Sequence, residues 1–128
     1  MHTDDFASWA NPLDWWPALI ERVLEPLAAG VAARYLPNDW GGPPKEPVTI
    51  EPGAIVIVEG VTAARAAFRP FLTFSVWVEA PRELRLHRGL ERDGEEARAQ
   101  WDAWMAAEDR CIEAEHPQTH ADAVVAGH

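Results

Sequence analysis

The sequence predicts an α/β fold built on a parallel β-sheet, and three observations support this class. Apolar runs rich in β-branched and aromatic residues, at 54–59 and 71–80, are typical of buried strands. Segments with helical spacing of apolar residues separate these runs, and such long crossovers favour parallel, right-handed connections. The 128 residues, of which 48% are hydrophobic, suit one domain with a real core.

The first predicted helix begins near Asp14, whose carboxylate can cap it, and Pro17 is tolerated in its first turn. Gly30 ends the segment, and Pro26 must kink or restart the helix because proline lacks a backbone donor. Its apolar face consists of Trp16, Ile20, Val23, Leu24 and Leu27.

A loop at 36–47 follows, marked by paired glycines and prolines. Residues 48–53 are predicted to form a short edge strand. The next run, 54–59, contains four consecutive aliphatic residues, Ile55 to Val58, and is predicted to form a strand buried on both faces. Its last residue is an acid, Glu59. Glutamate is costly to bury without compensation, which raises the question of its role.

The second half of the chain repeats the alternation of helix and strand. We expect a short helix that begins near Val61 and ends before Pro70, a strand over 71–80, a helix from Pro81 to about Asp93, and a last short strand over 121–127. The clearest helix covers 95–114. Its predicted buried face consists of Ala97, Trp101, Trp104, Met105 and Ile112.

Composition and charge exclude several classes of protein. The net charge of −10 argues against a protein held on nucleic acid or on a membrane surface by bulk charge. No apolar run approaches the length of a membrane span, and the acidic start lacks signal-peptide features. The single cysteine, Cys111, cannot form an internal disulfide. We therefore expect a cytoplasmic protein.

Acidic side chains supply the first candidate site residues. Glu59 is either a strand-end carboxylate that caps a turn or meets an arginine, or a carboxylate that organises Mg²⁺ and its waters. Asp4 and Asp5 are either solvated acids near the N-terminus or include one that takes a proton from a substrate hydroxyl. The residues themselves leave these alternatives open, including which aspartate is functional.

Arginines and one tryptophan supply the others. Arg82, Arg85, Arg88 and Arg92 form a stripe along one helix, and guanidinium groups suit phosphate oxygens. The equally weighted alternative is a surface of local ion pairs with the many neighbouring acids. Trp40, beside Asp39 in the loop, is the tryptophan that we expect to stack on a ligand. The other tryptophans fit helix faces or strands.

In order and spacing, these motifs resemble the uridine kinase-like group of P-loop kinases. The succession runs over nearly all of the chain: "TDDF", "NPLDWW", "NDW", "AIVIVEG", "VWVEAPRELRLHRGLERDG", a tryptophan-bearing helix and "ADAVV". The succession is far more specific than any one of its parts. The resemblance implies a three-layer P-loop kinase fold, Mg²⁺ and ATP as cofactors, and transfer of the γ-phosphate to a nucleoside or other small alcohol.

The resemblance also implies roles for individual residues. Asp4 matches the aspartate that activates the acceptor hydroxyl. Asp39 matches an acid that holds sugar hydroxyls, and Trp40 lies beside it. Glu59 matches the acid near magnesium, which it contacts through water. The lid region, at about 81–98, provides phosphate contacts, which are Arg88, Arg92 and Arg98.

One essential part of the family pattern has no match here. The chain contains no G-x-x-x-x-G-K-[ST] loop, and its only lysine, Lys45, follows two prolines in the loop. We expect the first strand, the phosphate loop and the following helix to be absent, so that 1–128 is one truncated domain with exposed sheet edges. A gene model that starts too late would have the same appearance.

Two functions follow for this chain. The first is a portion of an ATP-dependent nucleoside-like kinase that is inactive alone, since the phosphate loop supplies much of the positioning in phosphoryl transfer. The second is a non-catalytic, kinase-like binding or assembly module. In either case we expect a small-molecule alcohol or nucleoside as ligand, no nucleic acid, and a homodimer or another partner at the exposed edge.

Overall fold

The structure, a computed structural model, describes residues 1–127. The chain divides into two compact units, Met1–Ala63 and Ala64–His128. Each unit is mixed α/β and contains one two-stranded sheet, antiparallel in the first and parallel in the second. The α/β class is therefore confirmed, with small sheets. A single truncated domain of the P-loop kinase type stays a prediction.

The first unit contains one interrupted helix. It consists of α1 (Trp16–Leu19), a π-helical turn (Ile20–Leu24) and α2 (Glu25–Ala28). The wide turn precedes Pro26, which follows the first residue of α2. A proline has no N–H and its ring crowds the carbonyl four residues earlier, so the wider turn accommodates it. The predicted interruption at Pro26 is confirmed.

The start of this helix differs from the prediction. Trp15 is the N-cap residue and no side chain caps the helix, so the capping role predicted for Asp14 is wrong. Instead, the backbone N–H of Asp14 donates to Asn11 Oδ1 at 2.9 Å, which forms a side-chain turn just before the helix. Pro17 does lie in the first turn, and Gly30 (φ 72°) follows the end of α2, as predicted.

The sheet of the first unit pairs β1 (Ala33–Tyr35) with the predicted edge strand, β2 (Val48–Ile50). β1 was not predicted, because three residues are too few to show a period of two. Its burial does alternate, with Arg34 exposed between two buried neighbours. The core consists of Val23, Ala33 and Tyr35, surrounded by Met1, Phe6, Leu27, Val48 and Ile50.

Residues 54–58 are extended but form no strand, and the prediction of burial on both faces is wrong. The side chains of Ile55 and Ile57 are 96% and 70% exposed. Backbone pairing is limited to one side, where the Met1 amino group donates to Ile57 O at 2.7 Å and Thr3 N–H donates to Glu59 O at 2.9 Å. No other described element covers the isoleucines.

The second unit holds the two later predicted strands as a parallel pair. β3 (Val76–Glu79) pairs with β4 (Ala123–Ala126), with Trp77 opposite Val124. Both strands are shorter than predicted. Instead of the short helix predicted to end before Pro70, the structure has a 3₁₀ helix, Ala66–Phe71, that includes Pro70. The predicted end is therefore wrong.

Helices α3 (Arg82–Asp93) and α4 (Arg98–Glu115) confirm the two helices predicted after Pro81. Of the predicted face of α4, Trp104 and Met105 are buried. The left-handed His116 (φ 45°) ends α4 and precedes a short helix that was not predicted, α5 (Pro117–His120). Among the described residues, no helix is long and apolar enough to cross a membrane.

Candidate functional site

The two N-terminal aspartates lie in a 3₁₀ turn, Thr3–Asp5, but have different surroundings. The Asp5 side chain is only 14% exposed; it accepts a hydrogen bond from Tyr35 Oη at 2.9 Å and lies 3.7 Å from Lys45 Nζ. Burial, and then the hydrogen bond to Asp5, raise the pKa of Tyr35 well above its ordinary range. Asp4 is exposed. Asp5 is therefore largely buried, while Asp4 is exposed.

A loop around Asn38 is fastened to this turn by three hydrogen bonds. The Asn38 backbone N–H donates to Asp5 O at 2.7 Å, and its side-chain amide donates to Ala7 O at 2.5 Å. Trp40 Nε1 donates to the backbone carbonyl of Asp4 at 3.0 Å. The Trp40 ring also meets Trp9 edge-on, with 5.7 Å between ring centroids. The loop and the turn thus form one polar surface.

The backbone of the same loop is held by its own side chains. Asn38 Oδ1 accepts from Trp40 N–H at 3.0 Å, and Asp39 Oδ1 accepts from Gly41 N–H at 2.9 Å. These side-chain turns support the left-handed conformation of Trp40, which has φ 56°. Asp39 remains exposed.

An open cleft of about 350 Å³ lies between the turn, the first helix and the loop. Its lining includes the polar residues Asp5, Asp39 and Arg22, and Phe6 and Leu36 supply apolar lining. Within residues 1–127, the side chain of Arg22 makes no hydrogen bond or ion pair. This volume lies at the lower end of the range for small-molecule sites.

Glu59 contacts the N-terminal segment that leads into the Asp4 turn. Its backbone pairs with the segment that leads into Asp4, and its carboxylate contacts His2 Nδ1. Gly60 (φ 120°) follows, and a Cβ at this position would collide with Thr3 Oγ1. The Glu-Gly sequence is therefore explained locally, because only glycine allows both the conformation and the close approach.

The residues present do not form a complete magnesium site. Among the described residues, no three His, Cys, Asp or Glu side chains converge. Mg²⁺ commonly keeps several waters and takes one or two carboxylates together with substrate phosphates. Glu59 fits a single water-mediated contact of that kind. Its carboxylate would then give up its present contact with His2.

Two of the three predicted phosphate-binding arginines have local acidic partners. Arg92 donates twice to Asp93, at 2.8 and 2.9 Å, and its guanidinium lies 5.6 Å from the centroid of the Trp101 ring. The hydrogen bond from Arg92 lowers the pKa of Asp93. Arg98 donates to Glu95, with a shortest distance of 2.7 Å. By contrast, Arg88 is exposed and its guanidinium makes no hydrogen bond or ion pair within residues 1–127.

The predicted site residues thus fall into two groups. Asp4, Asp39, Trp40 and Glu59 belong to the first unit and are linked through residues 2–9. The three arginines belong to the second unit. The sequence reasoning did not identify three residues that shape the first group, which are Arg22, Tyr35 and Asn38. The one signal for them was the Asn-Asp pair, which is typical of side-chain turns.

Comparison with known proteins gives a partial match. The chain is 38% identical over 63 residues to uridine kinase from Escherichia coli K12, and a uridine kinase from Shigella flexneri gives the same values. The aligned region is 48% of this chain and 30% of the relative, so the chain spans less than a third of the curated relatives it matches. No protein-family model matches. This distant similarity indicates a kinase-related origin.

Proposed function

We propose that this chain supplies the acceptor-binding part of a uridine kinase-like phosphotransferase. The acceptor is a nucleoside or a similar small alcohol, and one of its hydroxyls receives the γ-phosphate of ATP. The partial similarity to uridine kinases supports this origin. The observation that carries the proposal is the attachment of the Asn38 loop to the Asp4 turn, because Asp5 of that turn and Asp39 of that loop line one cleft.

In this proposal Asp4 is the general base. An exposed carboxylate on a hydrogen-bonded turn is able to accept the proton of a hydroxyl as that hydroxyl attacks phosphorus. Asp39 accepts hydrogen bonds from the other hydroxyls of the nucleoside or alcohol. One of its oxygens already accepts a hydrogen bond from Gly41 N–H, so the carboxylate is held in place. Trp40 borders the bound acceptor. Asp5 positions the turn through Tyr35 and Lys45.

Mg·ATP supplies the phosphoryl group and neutralises its charge when bound. The 128 residues contain no G-x-x-x-x-G-K-[ST] segment. In the first unit, Glu59 is the one carboxylate that we propose for binding magnesium. The chain therefore needs a phosphate loop from outside these residues for turnover, and we expect no transfer by the 128 residues alone.

Arg88, Arg92 and Arg98 are proposed to contact the phosphates. Arg88 is available without rearrangement, because it makes no described ion pair. Arg92 and Arg98 would first exchange Asp93 and Glu95 for phosphate oxygens. Exposed pairs of this kind contribute only about 0–1 kcal/mol, so the exchange has a small cost.

Calorimetric titration of the 128-residue chain with uridine tests the acceptor site without ATP. We expect binding by the wild-type chain and a loss of roughly tenfold in uridine affinity for Asp39→Asn, because an amide oxygen accepts hydrogen bonds from sugar hydroxyls more weakly than a carboxylate does. Asp14→Asn is the matched control, since Asp14 is an exposed aspartate of the same unit outside the cleft. Equal affinities of the two variants would remove Asp39 from this role.

The second candidate is a non-catalytic binding or assembly module. It is favoured by one observation, the exposed apolar side chains of Ile55 and Ile57. Titration of the chain with uridine separates the two ideas, because neither expects phosphorylation by the 128 residues alone. Binding of uridine would favour the acceptor-binding part of a kinase, whereas absence of uridine binding would favour the module.

A further inference from the structure

The Asn38 loop, which connects β1 to β2 over residues 36–47, is held at its start by several hydrogen bonds. There, Asn38 and Trp40 donate to backbone carbonyls of residues 4–7. The remaining part, 41–47, is exposed. Connections between antiparallel strands usually have about two to five residues, so this loop is long for its place in the fold. It therefore needs contacts of its own to keep one conformation.

Lys45 supplies the polar contact of the exposed part of the loop. Its Nζ lies 3.7 Å from Asp5 Oδ1. Within the described part of the chain, no other side chain of 41–47 makes a hydrogen bond or ion pair outside the loop. Gly41 and Gly42 separate Lys45 from the bonded start of the loop, and glycine has more backbone freedom than any other residue. Without the ion pair, 41–47 would be restrained only through their connection to β2.

Asp5 connects both parts of this loop to the core of the unit. Its Oδ2 accepts a hydrogen bond from Tyr35 Oη at 2.9 Å, and its backbone oxygen accepts one from Asn38 N–H at 2.7 Å. Its Oδ1 faces Lys45. The side chain of Asp5 is largely buried, so its ion pair is screened less than a fully exposed pair. Asp5 also lines the cleft together with Asp39, which the same loop carries.

We propose that Lys45 is a positioning residue of the acceptor site, because its ion pair with Asp5 keeps the Asn38 loop, and with it the Asp39 carboxylate, in the conformation that binds the acceptor. Lys45 itself does not touch the acceptor. When the pair is lost, the loop samples several conformations and the acceptor must order it on binding, which lowers the affinity. This inference rests on the proposed function, since it concerns binding of a nucleoside or small alcohol in the same cleft.

Calorimetric titration of the 128-residue chain with uridine at increasing sodium chloride concentration tests the proposal. Uridine is uncharged at neutral pH, so salt changes its affinity through charges of the protein. We expect the affinity of the wild-type chain to fall about threefold between about 0.01 M and about 1 M salt, because screening weakens the pair of Lys45 and Asp5. Uridine binding that does not depend on salt would contradict the proposal.

Variants assign the salt dependence to Lys45. Lys45→Met should lower uridine affinity about three- to fivefold and remove the dependence on salt, whereas Lys45→Arg keeps the charge and should keep both. The matched control is Arg34→Met, because Arg34 is an exposed cation of β1 and its loss changes the net charge of the chain equally. The proposal is wrong if Lys45→Met and Arg34→Met have the same affinity and the same salt dependence.

A double-mutant cycle identifies the partner of Lys45. Asp5→Asn removes the other charge of the pair, so that Lys45→Met should cause no further loss of uridine affinity in this background. A further loss as large as in the wild-type background would mean that Lys45 acts through another group, which would contradict the proposed pair.

A measurement without uridine separates this inference from the proposed function. NMR order parameters of Gly41 and Gly42 should fall in Lys45→Met and stay unchanged in Arg34→Met. If the wild-type chain does not bind uridine, the proposed function fails, and the order parameters still decide whether Lys45 holds the loop. Equal order parameters in the wild-type chain and in Lys45→Met would overturn the positioning role, whether or not uridine binds.

Discussion

The predicted site residues of the two units are held in different ways. In the first unit, the Asp4 turn and the Asn38 loop are more than thirty residues apart in sequence and are joined by side-chain-to-backbone bonds. In the second unit, Arg92 and Arg98 are paired with acids one and three residues away. Long-range bonds fix a surface for a ligand, whereas local pairs satisfy exposed charges. The first unit is therefore the better-organised candidate site.

The largest effect that would test this comparison concerns Asp4. In a chimera that places a strand and a G-x-x-x-x-G-K-[ST] loop before Met1, Asp4→Asn should lower kcat by roughly 10²–10⁴-fold, as expected for loss of a general base. Uridine affinity should change little. Asp5→Asn is the matched control and should reduce stability more than kcat, because Asp5 is bonded to Tyr35. The reverse pattern would assign the catalytic role to Asp5.

The next effect concerns the support of the turn. Tyr35→Phe removes a hydrogen bond to a largely buried carboxylate and should cost about 1–3 kcal/mol in the free energy of unfolding, measured by chemical denaturation. Tyr35 is the one tyrosine of the chain, so tyrosinate absorbance of the wild-type chain reports the ionisation of this residue alone. A change within experimental error would mean that the bond does not hold the turn.

The raised pKa of Tyr35 also predicts a dependence on pH. The folded state holds the phenolic proton more tightly than the unfolded state. The resulting stability is complete below the ordinary pKa of 10.0 and declines as the pH rises above that value. Tyrosinate absorbance should therefore appear together with unfolding at alkaline pH. Ionisation near the ordinary value in a folded chain would contradict the buried environment.

A smaller effect tests packing in the second unit. A Cβ at Gly89 on α3 would lie 2.6 Å from Cε2 of Trp101. Gly89→Ala should therefore destabilise the chain by about 1–2 kcal/mol, since overpacking outweighs the gain in helix propensity. Arg88→Ala, on the exposed neighbouring residue, should stay within about 0.5 kcal/mol. Similar results for the two variants would mean that Trp101 is not packed against α3.

The smallest effect concerns the local ion pair of Arg92. Arg92→Gln should raise the pKa of Asp93 toward its ordinary value of 3.8, because the hydrogen bond from Arg92 is the main cause of the lowering. A lowered pKa contributes stability above the ordinary value that is lost as the pH falls. The variant should therefore lose less stability on acidification. Side-chain carboxyl NMR measures this shift, and an unchanged pKa would remove Arg92 as its cause.

Local patterns predicted the interrupted first helix, α3 and α4, and located β2, β3 and β4. Pro17, Pro26 and Gly30 marked the first helix, and Pro81 marked the start of α3, because these residues act through their own backbone restrictions. The exposure of Ile55 and Ile57 was not predictable in this way. Four consecutive aliphatic residues indicate a buried strand, but burial depends on neighbouring elements that a local pattern does not contain.

The candidate site was predictable in its residues more than in its connections. The resemblance selected Asp4, Asp39 and Trp40 from their motifs, and the structure links the segments that contain them. The linking residue, Asn38, was not selected, because its contacts are with distant backbone carbonyls. For the same reason, no pattern distinguished the exposed Asp4 from the largely buried Asp5.

Amide and indole NMR spectra of the 128-residue chain, recorded with increasing uridine and without ATP, test the central claim most directly. The account predicts shifts at the Asp4 turn, at Asp39 and at the Trp40 indole, with residues 82–98 unchanged. Shifts confined to residues 82–98, or no shifts at saturating uridine, would contradict the assignment of the acceptor site to the first unit.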